Sequence, residues 1–238
     1  MPRQFFFGCS FTAYRYPTWA DILVKNSDIE SYNYGIAGAS NETIAKTVTF
    51  ADCKHNFTED DEIYIMWTHW WRKNIATREG AWGFLGNAFC CGYPRSFVRR
   101  TVNYTDLSIT NATAIILTNK AYTIKKNLHW KPLGDFEGGE YYFPSDGETD
   151  TIKYAISFIP EDDILPPYDD NVDIYWKSDS HPTIPWHLEL AEKITEIKPN
   201  VKDWALEIHA RVSSLTRREF QDPVTVIWEQ AQRRAYNW

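Results

Sequence analysis

The chain has 238 residues, of which 43% are hydrophobic and 24% are charged, a composition that suits one globular domain with a sizeable core. Its formal net charge of -7 argues against a nucleic-acid partner bound through its phosphates, because that affinity comes mainly from lysine and arginine. No apolar stretch is as long as a membrane span, and the run near the N-terminus is too short for a signal-peptide core. We therefore expect a soluble, cytoplasmic protein.

The first part of the sequence alternates predicted strands and helices. A nearly continuous apolar run opens it, as is typical of a strand covered on both faces. The segments in order are a strand at residues 4–8, a helix starting at Thr18, a strand at residues 29–33, a helix from Asn41 to about Phe50, and a strand at residues 63–67. This order predicts an α/β fold, a three-layer α/β/α sandwich around a central parallel sheet.

The later segments are less regular. We expect a loop or small excursion at 77–104 and then a helix from about Asp106 to Leu128, with a strand at 115–118 as the alternative. A fourth strand at 128–133 and an exposed insertion at 134–150 follow. A loop rich in proline and acidic residues at 160–170 then precedes a helix that begins near Pro185. We expect residues 1–200 to form one domain with an insertion at about 134–170. Residues 201–238 read as two helices split near Asp222, which could pack on that domain or mediate self-association into a homo-oligomer.

Ser10 is the candidate nucleophile. It follows the first strand in a turn after Gly8, which would leave its hydroxyl exposed at the tip. Serine needs a base, and the unperturbed pKa of histidine, roughly 6.5, suits that task. Far downstream, His181 could serve as the base and Asp179 could orient it. The neighbouring Cys9 should face the core, because successive side chains of a strand point to opposite sides.

These residues carry a resemblance. Gly8-Cys9-Ser10, then Gly38, then Asp179-Ser180-His181-Pro182 resemble, in order, the motifs of the SGNH (GDSL-like) hydrolase superfamily. The stretch around Ser10 is also similar to proteins of phage and marine bacteria. The asparagine that this family carries after its third strand is missing. Either Thr68 or His69 replaces it, or Asn41 supplies the amide, which is the option we favour; the alternative for Asn41 is a structural role as a helix cap.

The resemblance implies an esterase or deacylase that works through an acyl-serine without metal or organic cofactor. Its triad would be Ser10, His181 and Asp179, and its oxyanion donors would be the Ser10 and Gly38 amides with Asn41. Short acyl groups, such as O-acetyl groups on saccharides, are the expected substrates. Lipid or thioester hydrolysis remains an alternative, as does a non-catalytic carbohydrate-binding or virion-associated protein on the same fold.

Other side chains have open roles. His187 is a rival base, although its place in a helix first turn favours a structural hydrogen bond. Arg72 could bind a carboxylate or lie along the groove edge. The residues expected to line the substrate pocket are Tyr14, Trp67, Thr68 and His69. Four cysteines without metal-ligand spacing, Cys9, Cys53, Cys90 and Cys91, are expected to be free thiols.

Overall fold

The structure is a computed structural model that describes residues 1–68, 72–76, 82–87, 104–129, 146–159, 181–195 and 200–221. The described strands are β1 Arg3–Gly8, β2 Glu30–Asn33, β3 Glu62–Trp67, β4 Arg72–Ala76, β5 Trp82–Asn87 and β6 Lys126–His129. The described helices are α1 Trp19–Asn26, α2 Asn41–His55, α3 Tyr104–Ala121, α4 Asp146–Ile156, α5 Ile184–Thr195, α6 Lys202–Ser214 and α7 Arg217–Gln221.

Four of these strands form a parallel sheet in the order β2-β1-β3-β6. The chain runs from β1 to one neighbour and then crosses to the other, so the gap beyond the carboxyl ends of β1 and β3 is a topological switch point, where open α/β sheets bind ligands. Gly8 pairs with Met66 at the end of the β1–β3 ladder. Ser10 and Thr68 therefore leave the sheet at the same edge.

Consecutive phenylalanines of β1 anchor the helices on both faces of the sheet. The ring of Phe6 meets that of Trp19 in α1 edge-on, with 5.6 Å between centroids, whereas the ring of Phe5 lies 5.3 Å from that of His55 in α2. Because adjacent strand residues point to opposite faces, α1 and α2 cover different sides. Helices α5 and α6 pack on the side of α1, and α3 and α4 on the side of α2. This is the predicted α/β fold, with the parallel sheet between two helical layers.

The early elements follow the sequence predictions, with α2 continuing past residue 50 to His55. The predicted helix through Leu128 is too long: α3 ends at Ala121, and the Lys125 amide donates to the Ile63 carbonyl at 2.8 Å as the chain enters the sheet. The fourth sheet strand consequently begins at Lys126 rather than at residue 128.

Two further predictions need correction. Part of the expected loop at 77–104 is strand β5, which pairs antiparallel with β4. The expected insertion at 134–150 ends inside helix α4, which begins at Asp146. The tail also has a break that was not predicted: α6 ends at Ser214, and a short helix restarts at Arg217. The predicted split near Asp222 lies outside the described residues. Residues 160–170 lie outside the described residues.

The first described part of the tail contacts the domain. Lys25 of α1 places its Nζ 5.3 Å from the ring centroid of Trp204, and the guanidinium of Arg15 lies 5.4 Å from the ring centroid of Phe220. Self-association through these helices stays a prediction. None of the helices in the described ranges is long and apolar enough to cross a membrane.

Candidate active site

Ser10 lies in a tight turn at the carboxyl end of β1. The amides of Thr12 and Ala13 both donate to the Cys9 carbonyl, at 2.9 and 3.1 Å, which closes the turn around Ser10. Only 4% of Ser10 is solvent-accessible, so the prediction that the turn leaves its hydroxyl exposed is wrong, because the turn folds back onto the sheet. Cys9 is fully buried and its thiol is free, so its side chain faces the core.

The turn folds back onto the sheet because residue 8 has no side chain. A Cβ on Gly8 would lie 2.0 Å from Thr12 Oγ1 and 3.0 Å from the Met66 carbonyl oxygen. The first distance is far shorter than any Cβ contact, and the second is tighter than nearly all of them. The glycine is therefore required for the close approach of the Ser10 turn to β3.

The far side of the turn is fixed through the Thr12 carbonyl. Thr18 Oγ1 lies 2.6 Å from that oxygen, and Asn33 Nδ2 donates to it at 2.8 Å. The carboxylate of Asp21, fully buried, accepts from the Thr18 amide and from Asn33 Nδ2. The start of α1 and the end of β2 thus hold the serine turn in place.

His181 lies against this turn. Its imidazole stacks on the ring of Tyr14, with 3.9 Å between centroids and 17° between planes, and meets Phe11 edge-on at 5.6 Å. The adjacent Pro182 accepts a buried 2.7 Å hydrogen bond from the Tyr16 hydroxyl. The structure therefore places the predicted base beside the residue that follows the predicted nucleophile. Asp179 lies outside the described residues.

His187, the rival base, is 1% exposed in α5. Burial, with a smaller contribution from the nearby His181, lowers the pKa of His187 to about 3. Its Nδ1 is buried and has no hydrogen-bond partner among the described residues. Such a weakly basic imidazole is poorly matched to accepting a proton near neutral pH.

The loop after β2 reaches the same edge of the sheet. The Ala39 amide donates to the Ile36 carbonyl at 3.0 Å, and Gly38, at the third position of this turn, has φ 80°. Only glycine adopts that φ without strain. Gly38, the predicted oxyanion donor, thus lies in a fixed turn just ahead of α2.

The amide of Asn41 binds the end of β3. Its Nδ2 donates to the Thr68 carbonyl at 2.9 Å, and its Oδ1 accepts from the Thr68 amide at 2.8 Å. The Asn41 backbone N–H donates to Asn111 Oδ1, also at 2.9 Å. The side chain expected to face an oxyanion therefore uses one Nδ2 hydrogen and its oxygen to position Thr68.

Sequence reasoning missed two buried residues beside Thr68. His129 ends β6 and places Nε2 3.2 Å from the Thr68 carbonyl, and Asn111 of α3 links α2 to β4 through the Arg72 carbonyl. The structure places His129 at the carboxyl end of β6, the edge at which such sheets bind ligands, whereas the predicted strand at 128–133 put it near the strand's start. Nothing local in the sequence singles out Asn111.

The residues predicted to line the pocket differ in their exposure and contacts. Tyr14 is partly exposed beside His181, whereas Trp67 is fully buried and donates through Nε1 to Asn127 Oδ1 at 2.8 Å, a core position. Thr68 is also fully buried, and its hydroxyl has no hydrogen-bond partner within the described ranges. His69 lies outside the described residues.

Three solved structures are similar to the chain. A member of the lipolytic protein G-D-S-L family from Veillonella parvula is 14% identical, with a TM-score of 0.47 over 83% of this chain and 98% of that chain. The psychrotrophic esterase EstA from Pseudoalteromonas sp., inhibited by monoethylphosphonate, is 15% identical, with a TM-score of 0.41 over 85% and 97%. A putative lipolytic protein of the G-D-S-L family from Desulfitobacterium hafniense is 16% identical, with a TM-score of 0.37 over 81% and 97%.

No protein-family model matches the chain, and no curated protein matches it.

Proposed function

We propose that the chain is a serine esterase of the SGNH type, which hydrolyses carboxylic esters through an acyl-serine. One observation carries the proposal: the His181 ring packs on Phe11, in the Ser10 turn, and on Tyr14 just after that turn. A histidine far downstream in the sequence thus packs on residues close to Ser10, near the sheet edge where α/β proteins bind ligands. The motif resemblance of the same residues agrees with this chemistry.

In the proposed reaction, Ser10 Oγ attacks the ester carbonyl carbon as His181 takes the hydroxyl proton. The imidazolium then protonates the departing alkoxide, which leaves as the alcohol. Water attacks the acyl-serine with His181 again as base, and the acid leaves as Ser10 regains its proton. Asp179 would orient the imidazole throughout. The low exposure of Ser10 fits a site from which water is largely excluded, where fixed dipoles act more strongly.

The oxyanion would be bound by the backbone N–H groups of Ser10 and Gly38. Two side chains are candidates for a third donor, Asn41 through its second Nδ2 hydrogen and Thr68 through its hydroxyl. Removing one such donor typically slows catalysis by about a hundred- to a thousandfold.

The proposed substrates are short acyl esters, such as O-acetyl groups on saccharides. The aromatic ring of Tyr14 beside the proposed base suits the apolar face of a sugar. A series of p-nitrophenyl esters from acetate to decanoate measures this preference, and highest kcat/KM at decanoate would favour lipid hydrolysis instead.

The nucleophile is tested with a fluorophosphonate probe and p-nitrophenyl acetate. We expect labelling at Ser10 and a fall in kcat of about 10⁴-fold or more in Ser10→Ala. Ser157→Ala is the matched control, because that exposed hydroxyl only caps its own helix end by donating to the Tyr154 carbonyl. Retained turnover in Ser10→Ala would contradict the proposal, and saccharide binding without labelling or turnover would favour a binding protein.

A further inference from the structure

Arg72, the first residue of β4, reaches the turn at residues 36–39, which contains the proposed oxyanion donor Gly38. Its Nη1 donates to the Ala39 carbonyl at 3.3 Å, and Ala39 directly follows Gly38. The Arg72 carbonyl accepts from Asn111 Nδ2 at 3.2 Å, which ties the strand's first residue to α3. The guanidinium therefore lies beside the turn that would hold the reacting carbonyl.

The positive charge at this point has no carboxylate partner among the described residues. The ion pairs in those ranges are Arg3–Asp61, Lys46–Glu42 and Lys125–Glu62. Glu42, the acidic residue nearest Ala39 in sequence, is thus engaged by Lys46 at 2.5 Å. The N-terminus of α2 follows directly after Ala39 and adds the positive end of a 15-residue helix dipole.

The guanidinium is also incompletely hydrogen-bonded. Arg72 is partly buried, and its Nε is buried without a hydrogen-bond partner within the described part of the chain. Withdrawing a cation from water is unfavourable unless an anion or hydrogen bonds compensate it. A planar guanidinium fork matches the two oxygens of a carboxylate better than it matches a neutral group.

From these contacts we infer that Arg72 binds a carboxylate carried by the ester substrate. The inference rests on the proposed function and narrows its substrate class to anionic esters. The carboxylate belongs either to the acyl group or to the alcohol, and Arg72 would bind it within a few bonds of the scissile carbonyl. The net charge of the chain is negative and does not attract an anionic substrate. A local cation is therefore needed to select such a substrate.

The experiment compares kcat/KM for carboxylate esters with that for neutral analogues that lack the carboxylate. Mono-p-nitrophenyl succinate against p-nitrophenyl butyrate probes the acyl side, and 4-acetoxybenzoate against phenyl acetate probes the alcohol side. We expect wild type to prefer the carboxylate ester on one side. Arg72→Gln should lower that ratio about 10- to 100-fold, and Arg72→Lys, which keeps the charge but loses the fork, should lower it less.

Arg211→Gln is the matched control, because it removes one guanidinium from an exposed position of α6. No preference in wild type on either side, or equal ratios in Arg72→Gln and Arg211→Gln, would overturn the inference. Competition on the wild-type chain covers the case in which Arg72→Gln fails to fold. Succinate should inhibit turnover of p-nitrophenyl butyrate more strongly than succinamide, and equal inhibition would overturn the inference.

A failure of the proposed function has a different signature. In that case no ester is hydrolysed and the fluorophosphonate leaves Ser10 unlabelled. Calorimetric titration with succinate and with 4-hydroxybenzoate then tests Arg72 alone. Binding by wild type that is at least tenfold weaker in Arg72→Gln supports the carboxylate site, and absent or equal binding overturns it.

Discussion

At the scale of single residues, Gly8 sets the position of the candidate nucleophile. A methyl group there would lie 2.0 Å from Thr12 Oγ1, 2.9 Å from Thr12 Cβ and 3.0 Å from the Met66 carbonyl oxygen. We expect Gly8→Ala to lower the free energy of unfolding by about 1–3 kcal/mol, as overpacking of a fitted interior does. Urea unfolding measures the loss, and the displaced Ser10 turn should also lower kcat.

The clash has a specific partner that a second substitution can remove. Thr12 Oγ1 is buried without a hydrogen-bond partner among the described residues, so Thr12→Ala alone should cost little beyond its lost packing. In the double variant, Gly8→Ala should cost less than it does in wild type, because the shortest contact is gone. Equal costs in the two backgrounds would show that the Thr12 hydroxyl does not limit residue 8.

At the scale of elements, the Asn41 side chain joins the start of α2 to the end of β3. Its removal would leave the buried amide and carbonyl of Thr68 without their partner, although His129 also approaches the carbonyl. Each unsatisfied buried group costs about 1–3 kcal/mol, so we expect Asn41→Ala to destabilise the protein by about 2–4 kcal/mol in urea unfolding.

The matched control is Asn26→Ala, which removes a single exposed hydrogen bond between Asn26 Oδ1 and the Asn200 amide. It should change the free energy of unfolding by about 0.5 kcal/mol or less. A loss in Asn41→Ala no larger than this would contradict the bridging role. If Asn41 also donates to the oxyanion, kcat of the folded variant should fall about a hundred- to a thousandfold with KM little changed.

The elements that the sequence predicts well have local signals. Residues 5–7 are consecutive phenylalanines, and the start of α1 carries the Thr18 and Asp21 pair that the structure joins by a 2.8 Å hydrogen bond. The end of α3 has no such signal, since it depends on the pairing of Lys125 with Ile63, a distant strand residue. Strand β4 reads Arg-Lys-Asn-Ile-Ala, without the alternation that identifies a strand.

The start of α7 did have a readable signal. Thr216 and Glu219 form a reciprocal capping pair: the Glu219 carboxylate accepts from the Thr216 amide at 2.8 Å, and the Glu219 amide donates to the Thr216 hydroxyl at 3.3 Å. This Thr-x-x-Glu spacing is a known helix start and marks the break between α6 and α7.

At the scale of the whole molecule, Tyr16 connects three distant parts of the chain. Its hydroxyl donates to the Pro182 carbonyl, and its ring lies 6.2 Å from that of His187 and 6.3 Å from that of Phe220. Motif order predicted the approach of the His181 segment to the Ser10 turn. The contacts of Tyr16, like those of Asn41, depend on which buried groups meet after folding, and no local pattern specifies them.

His187, packed against Tyr16, should make the stability of the molecule sensitive to acid. Its folded pKa of about 3 lies below the roughly 6.5 of an unfolded histidine, so the unfolded state binds the extra proton between these values. This contribution to stability is complete above pH 6.5 and is lost as pH falls toward 3, by up to about 1.4 kcal/mol per pH unit. His55 and His209, whose pKa values burial also lowers, act in the same direction. Asp61, whose pKa the Arg3 hydrogen bond lowers to about 2, responds only below about pH 4.

Urea unfolding of wild type and His187→Phe at pH 7.5, 6.0 and 4.5 isolates the contribution of His187. Wild type should lose about 2.7 kcal/mol more than the variant between the first and last pH, and parallel losses would show that His187 can be protonated in the folded protein.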